Sequence, residues 1–229
     1  MGPIARRYAD GMIGRRSHPR ASVSARRTEA FTDGVFAIAA TLLVLGLTDH
    51  PVGALDSDAA LGTALAELAP TLATFVIAFL VLCRLWMTHV EQFEHIVRVD
   101  TLGMWLNTLR LLFVVLVPFA ASVNYGGENL RLGQLVLPGV FLVSLFFSWL
   151  QWLWAARSGA VADLSAVETR AAGRAGLTAV VVGAGVVALS PWLGSWAFLL
   201  YIVDGPLSRA LGGRHSSVDD PDGDVGGRG

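Results

Sequence analysis

Apolar residues fall into long stretches separated by short polar links, and the stretches predict membrane helices. A helix rises about 1.5 Å per residue, so about 20 residues cross a hydrocarbon layer of about 30 Å. The predicted fold is an all-α, six-helix transmembrane bundle within residues 26–208. Its helices are expected at residues 27–48, 60–89, 101–123, 132–156, 175–189 and 192–207.

The polar segments at the two ends indicate disorder and also orientation. Residues 1–25 are rich in arginine, residues 209–229 in Gly, Asp and Ser, and neither composition supports a packed core. Arginine also occurs in the links after predicted helices two and four, whereas the first outer link has none. Because cytoplasmic loops are enriched in Arg and Lys, both termini are expected in the cytoplasm.

The composition excludes an ordinary soluble domain. Apolar residues make up 54% of the chain, charged residues 15%, and the mean hydropathy is +0.57. The sequence contains no phosphate-binding loop, zinc-protease motif or catalytic triad, so it does not predict an enzyme. Its net charge of -1 does not indicate nucleic-acid binding. All 17 basic residues are arginine, which with the Ala, Gly and Val richness suggests a GC-rich bacterial gene and hence the inner (plasma) membrane.

Metal-binding side chains are few. Cys83 is the single cysteine, so neither an intrachain disulfide nor a cysteine metal cluster is expected. His89, Glu91, Glu94 and His95 lie close together in sequence, but only Glu91 and His95 have the i, i+4 spacing of two ligands on one helix face. We therefore predict neither a metal site nor a cofactor.

The first apolar stretch opens with a polar motif, Arg27-x-x-x-Phe31-Thr32-Asp33. This motif resembles the RxxxFSD signature of the transmembrane protein 175 family, the endosomal and lysosomal potassium channels and their shorter bacterial relatives. Threonine replaces the serine and keeps the hydroxyl. The resemblance extends over residues 27–156 through further similar positions: Trp86, His89, Phe93, Ile96, Arg98, Asp100, Leu106, Asn107, Pro118 and Phe119.

The resemblance implies a passive, potassium-preferring cation channel. Bacterial members have one six-helix unit per chain, so the implied assembly is a homotetramer in the lipid bilayer, with the first helices around the pore and the potassium ion as the permeant species. Ile38 corresponds to the constriction, Leu42 and Leu45 to further apolar layers, and Thr41 to a polar ring. The helical period places Ile38, Leu42 and Leu45 on one face, but any apolar membrane helix contains such stripes.

The polar residues of the motif have a structural interpretation and a functional one. We predict that Arg27, Phe31, Thr32, Asp33, Trp86 and His89 form a structural network that holds the pore helix. In this network Asp33 pairs with Arg27 or accepts a hydrogen bond from Trp86 or His89. Alternatively, Asp33 concentrates cations at the inner mouth, since a carboxylate at the end of a membrane helix is costly unless it is paired or hydrated.

Other readings of the sequence remain open. Arg110 lies in the middle of predicted helix three. Its expected ionic partner is Glu67 of predicted helix two. A secondary transporter is an alternative, with Pro118 and Pro138 as possible helix interruptions. A non-conducting membrane scaffold is another, because a pore-lining stripe and a packing stripe look alike. Proton conduction through His50 or His89 is a further option.

Overall fold

The computed structural model describes residues 23–48, 56–126 and 130–201. Residues 1–22, residues 209–229 and most of the first outer link, including His50, lie outside these residues. Residues 23–25, which were expected in the disordered N-terminal tail, form β1 and the first residue of α1. The described elements are β1 (Val23–Ser24), α1 (Ala25–Leu42), α2 (Leu45–Thr48), α3 (Asp58–His95), β2 (Arg98–Val99), α4 (Thr101–Val115), α5 (Val117–Gly126), α6 (Arg131–Ser158), α7 (Ala166–Leu193) and a 3-10 helix (Gly194–Leu199).

The described part of the chain contains five helical stretches long and apolar enough to cross a membrane. They correspond to α1 with α2, α3, α4 with α5, α6, and α7 with the 3-10 helix. The predicted boundary of helix five was wrong, because α7 begins at Ala166 and continues to Leu193. The predicted turn at Ser190-Pro191 lies inside α7, and residues 194–199 of predicted helix six form the 3-10 helix. Residues 202–207 lie outside the described residues.

Local capping interactions explain where the long helices begin and end. The Ser57 hydroxyl accepts a hydrogen bond from the Ala60 N–H at the start of α3, and the Asp100 carboxylate accepts one from the Gly103 N–H at the start of α4. Ser165 and Glu168 form a reciprocal capping box at the start of α7. Gly159 ends α6 with a φ of 65°, a left-handed conformation that glycine adopts without a steric cost.

The third membrane stretch is broken rather than continuous. α4 ends at Val115 and α5 starts at Val117, directly before Pro118. Proline lacks the N–H group that would continue the helical hydrogen bonds, which explains the break. In contrast, Pro70 and Pro138 lie inside α3 and α6 without ending them.

Two apolar clusters hold the helices together. The larger one contains Phe36 of α1, Leu82 of α3, Val114 of α4 and Phe141 of α6, each at most 3% exposed. The smaller one joins the start of α1 to the links that follow α3 and α6, through Ala25, Phe93, Ile96, Val99, Ala155 and Ala160.

A small antiparallel sheet reinforces the smaller cluster, and the sequence analysis did not anticipate it. β1 pairs with β2, with Val23 opposite Val99, and Ile96 forms an isolated bridge with Val161. The Arg98 guanidinium donates hydrogen bonds to the carbonyls of Ser158 and Gly159, where α6 ends. The start of the first membrane helix is thereby tied to two links that are distant in sequence.

Gly103→Ala is expected to destabilise the fold by about 1–3 kcal/mol, because the new methyl group would overlap the ring of Trp154. Gly62→Ala in α3 is the matched control, since nothing lies within 4 Å of its added methyl. That control should be neutral or slightly stabilising, as alanine favours a helix more than glycine does. Thermal unfolding in detergent measures both, and equal shifts for the two variants would contradict the packing inferred at Gly103.

Candidate pore helix and its polar contacts

The α1–α2 segment has one long face that the rest of the chain leaves uncovered. Ile38 is 61% exposed, Leu42 41% and Leu45 55%, and Thr41 beside them is also exposed. The Thr41 hydroxyl donates to the Ile38 carbonyl at 2.9 Å, so its proton is used within the helix. The hydroxyl oxygen keeps acceptor capacity, which is the property a cation requires of a ligand.

The opposite face of α1 is fully packed. Phe36, Ala39 and Leu43 are each at most 3% exposed and belong to the larger apolar cluster. Successive helical residues are 100° apart, so Phe36 and Ile38 point in nearly opposite directions. The packing therefore determines which residues α1 presents outward, and these include the stripe from Ile38 to Leu45.

Two hydrogen bonds between side chains fasten the middle of α1 to neighbouring helices. The Trp86 indole N–H of α3 donates to Asp33 Oδ1 at 2.8 Å. The Asn107 amide of α4 donates to the buried Thr32 hydroxyl at 2.9 Å. Adjacent residues of one motif thus contact two different helices, which defines both the position and the rotation of α1.

The remaining residues of the predicted network are not all in contact with one another. Arg27 and Phe31 are exposed, and among the described residues Arg27 forms no ion pair with Asp33. Both lie on the same outward side of α1 as Ile38, because they precede it by eleven and seven residues. His89 lies behind α1 and contacts Arg110 instead of Asp33.

Arg110 is completely buried between α1 and α3. Its guanidinium donates to the Leu85 carbonyl at 2.8 Å, lies 3.3 Å from His89 Nδ1 and faces the Phe36 ring at 5.6 Å. A guanidinium only donates, so His89 Nδ1 is the acceptor in this contact. The His89 ring in turn packs on Phe93, with 4.3 Å between the ring centroids.

The predicted Glu67–Arg110 ion pair was wrong. Arg110 contacts α3 at Leu85 and His89, whereas Glu67 is exposed eighteen residues before Leu85. At about 1.5 Å per residue, this separation is about 27 Å along the helix. Within the described residues the burial of Arg110 is therefore compensated by a carbonyl, an imidazole and an aromatic face, and not by a carboxylate.

Arg98 and Asp100 form hydrogen bonds at helix ends. The sequence contained a local signal for the role of Asp100. Asp100 precedes an apolar run and lies three residues before Gly103, the spacing of a helix N-cap. The contacts of Asn107 with Thr32 and of Arg98 with Ser158 join distant positions and had no local signal. Among the described residues, no group of three or more His, Cys, Asp or Glu side chains is arranged to hold a metal ion.

Comparison with known proteins supports the family resemblance. The profile of the family described as endosomal/lysosomal potassium channel TMEM175 matches residues 27–118. A potassium channel of Streptomyces collinus is 42% identical over 97 residues, which are 42% of this chain and 46% of that protein. The endosomal/lysosomal proton channel TMEM175 of Danio rerio is 33% identical over 136 residues, 57% of this chain and 26% of that protein. The chain thus aligns with half or less of the length of these two relatives.

A solved structure extends the similarity to most of the chain. The crystal structure of a lysosomal potassium-selective channel TMEM175 homologue from Chamaesiphon minutus aligns with a TM-score of 0.69 and 28% identity. The alignment covers 80% of this chain and 97% of that one. The similarity is to an ion-channel family and not to an enzyme.

Asp33→Ala and Trp86→Phe are each expected to weaken the attachment of α1, because each removes one partner of the 2.8 Å hydrogen bond. In a double-mutant cycle of thermal stability, the two sites should show a coupling energy of about 1 kcal/mol. Asp33→Asn keeps an acceptor oxygen and should retain most of the wild-type stability. If Asp33→Ala instead left the oligomer and its stability intact and changed only ion preference, a direct role in conduction would replace the structural one.

Arg110→Met and Arg110→Ala are expected to differ in stability. Methionine keeps much of the side-chain volume and removes a desolvated charge, so Arg110→Met should fold about as stably as wild type. Arg110→Ala leaves a cavity beside Phe36 and Leu85 and should cost about 2–5 kcal/mol. Equal, severe losses in both variants, measured by thermal unfolding in detergent, would show that the charge itself is required for folding.

Proposed function

Since residues 27–118 match the TMEM175 channel family, we propose that the chain is a passive, potassium-preferring cation channel whose pore is lined by α1. The observation that carries the proposal is the uncovered apolar face of α1, with Ile38 at 61% exposure. The Streptomyces and Chamaesiphon relatives are both named as potassium channels, which supports potassium as the permeant ion.

One chain has one such helix and cannot enclose a pore by itself. We propose a homotetramer in which four copies of α1 surround a central axis and cover one another's exposed faces. Phe31, Ile38, Leu42 and Leu45 then lie toward the axis or the neighbouring subunit and not toward lipid. The packed opposite face, from Phe36 to Leu43, anchors each α1 to its own subunit.

The constriction works through dehydration. Where Ile38 side chains narrow the lumen, water leaves it, and an ion must enter a segment of low dielectric constant. Leu42 and Leu45 extend this apolar segment along the same face. A small outward movement or rotation of α1 widens the segment and readmits water, so the hydrogen bonds at Thr32 and Asp33 provide fixed points for that movement.

Preference for potassium follows from partial dehydration. Potassium releases its hydration water at a lower cost than sodium, and four Thr41 hydroxyl oxygens beside the constriction offer replacement ligands. The Thr41 proton is already donated to the Ile38 carbonyl, so the oxygen lone pairs remain available to a cation.

Proton conduction is the second candidate, since the Danio relative is named a proton channel. The residues from Gly34 to Thr48 include no ionisable side chain, and His89 is buried behind α1 in contact with Arg110. A proton path along α1 would therefore depend on water in the apolar segment and would be interrupted where that segment is dry. This arrangement favours the potassium proposal.

Potassium flux from liposomes tests the proposal, with wild type beside Ile38→Asn. Wild type should release potassium faster than sodium, and Ile38→Asn should raise the flux about tenfold or more and reduce the preference, because a polar side chain keeps the narrow segment hydrated. A tenfold change corresponds to a barrier lowered by about 1.4 kcal/mol.

Val181→Asn is the matched control, because Val181 is 63% exposed on α7, a helix that does not pack extensively on α1. This control should leave flux and preference unchanged. If intact wild-type oligomers conducted neither potassium nor sodium, a transporter or a non-conducting scaffold would replace the channel. Equal effects of Ile38→Asn and Val181→Asn would remove Ile38 from the conduction path.

A further inference from the structure

A cleft separates α3 from α6 and α7 on the side of the subunit away from the pore face. Its volume is about 710 Å³, within the range of small-molecule sites. α3 packs more extensively on α1 than on α6 or α7, which leaves this side open. The hydrogen bonds between Gln92 and Ser148, at 3.4 Å, are one point at which α3 and α6 meet across the cleft.

The wall of the cleft formed by α3 changes from aliphatic to charged side chains along the helix. Ile77, Val81, Arg84, Thr88 and Glu91 follow one another at spacings of three or four residues and therefore lie on one face. The first two are aliphatic, and the charged residues follow toward the link that begins at Ile96. The Arg84 guanidinium donates to Thr88 at 3.3 Å, and within the described residues this is its one hydrogen bond, so most of its N–H groups remain available.

The opposite wall has small side chains from α7, and hydrogen bonds hold α7 to α6. Ala171, Ala175 and Ala179 of α7 face the cleft at helical spacing, and their small side chains leave the space open. The Trp149 and Trp152 indoles, from α6, donate to the Gly173 and Thr169 carbonyls of α7 at 3.1 Å each and fix the two helices together. Glu168, which also closes the capping box, lines the charged end.

We propose that this cleft binds a zwitterionic phospholipid with an amine-bearing headgroup, with one acyl chain between Ile77 and Ala179. The order of the charges supports this occupant. From the middle of the membrane outward, such a lipid presents its acyl chain, its phosphate and then its ammonium group. The cleft presents aliphatic side chains, Arg84 and then Glu91 in the same order.

The spacing agrees with this arrangement. Ile77 and Arg84 are seven residues apart, about 10 Å along the helix, and Arg84 and Glu91 are again separated by seven residues. Arginine pairs well with phosphate oxygens, and a carboxylate pairs with an ammonium group. A lipid with an anionic headgroup that lacks an amine would satisfy Arg84 but would meet two acids, Glu91 and Glu168, where the zwitterionic lipid has its positive charge.

Native mass spectrometry of the intact protein tests the proposal after equilibration in nanodiscs of equal parts dioleoyl phosphatidylethanolamine and dioleoyl phosphatidylglycerol. Wild type should retain phosphatidylethanolamine in preference to phosphatidylglycerol. Arg84→Gln should lower retention of both lipids about fivefold, the effect expected for one charge near a membrane surface. Glu91→Gln should reduce retention of phosphatidylethanolamine alone, because only that lipid carries the amine.

Arg157→Gln and Glu94→Gln remove the same kinds of charge from exposed positions outside the cleft, and both should behave as wild type. Ala175→Phe should lower retention of both lipids by filling the apolar end. Equal retention of the two lipids by wild type, or an unchanged preference in Glu91→Gln, would overturn the proposal. Loss of the oligomer in Ala175→Phe with lipid retention unchanged would assign the cleft to a second copy of the chain instead.

Discussion

The hydrogen bonds of Thr32 with Asn107 and of Asp33 with Trp86 determine where the first helix lies. Within a membrane the hydrophobic effect does not drive helices together, so close packing and directional polar contacts set their positions. Two adjacent side chains on one helix, each bonded to a different neighbour, fix rotation as well as distance. The exposure of Ile38 and the burial of Phe36 both follow from that rotation.

Arg110 is a costly feature of the core, since it is a completely buried arginine in a membrane helix. A buried cation in a membrane helix requires compensation, and here it comes from the Leu85 carbonyl, His89 and the face of Phe36. Since Phe36 and Ile38 are on opposite sides of α1, the charge lies behind the proposed constriction. In the proposed pore, such a charge would oppose a cation at Ile38 and would add to the barrier of the apolar segment, since charges interact strongly in a medium of low dielectric constant.

The end of the helical bundle at which α1 begins is held by contacts other than helix packing. At the end where α1 begins, the β1–β2 pair and the Arg98 contacts join three segments around a second apolar cluster. The charged end of the proposed lipid-binding cleft lies on the same α3 helix whose last residues, including Phe93, enter that cluster. A lipid headgroup beside Arg84 and Glu91 would therefore contact the helix that carries Trp86, the partner of Asp33.

The sequence by itself determined the class of the protein. Long apolar runs cannot remain in water, and a run of about 20 residues has one stable arrangement in a bilayer, a spanning helix with its backbone hydrogen bonds satisfied. The polar motif Arg27-x-x-x-Phe31-Thr32-Asp33 also indicated the family through its resemblance to a known signature. The predicted helix boundaries were wrong where capping interactions set the start of a helix. The capping box of Ser165 and Glu168 starts α7 nine residues earlier than composition predicted.

The tertiary structure alone decided which partners the polar residues have. Asp33 had three possible partners in the sequence, and its bond to Trp86 depends on how α1 and α3 are rotated against each other. Arg110 was matched with Glu67, the one acid of the preceding predicted helix, yet it lies beside Leu85 and His89 because helix packing sets its depth. The hydrophobic pattern specifies that a helix spans the membrane but not which neighbour each face meets, since that depends on contacts between residues far apart in the chain.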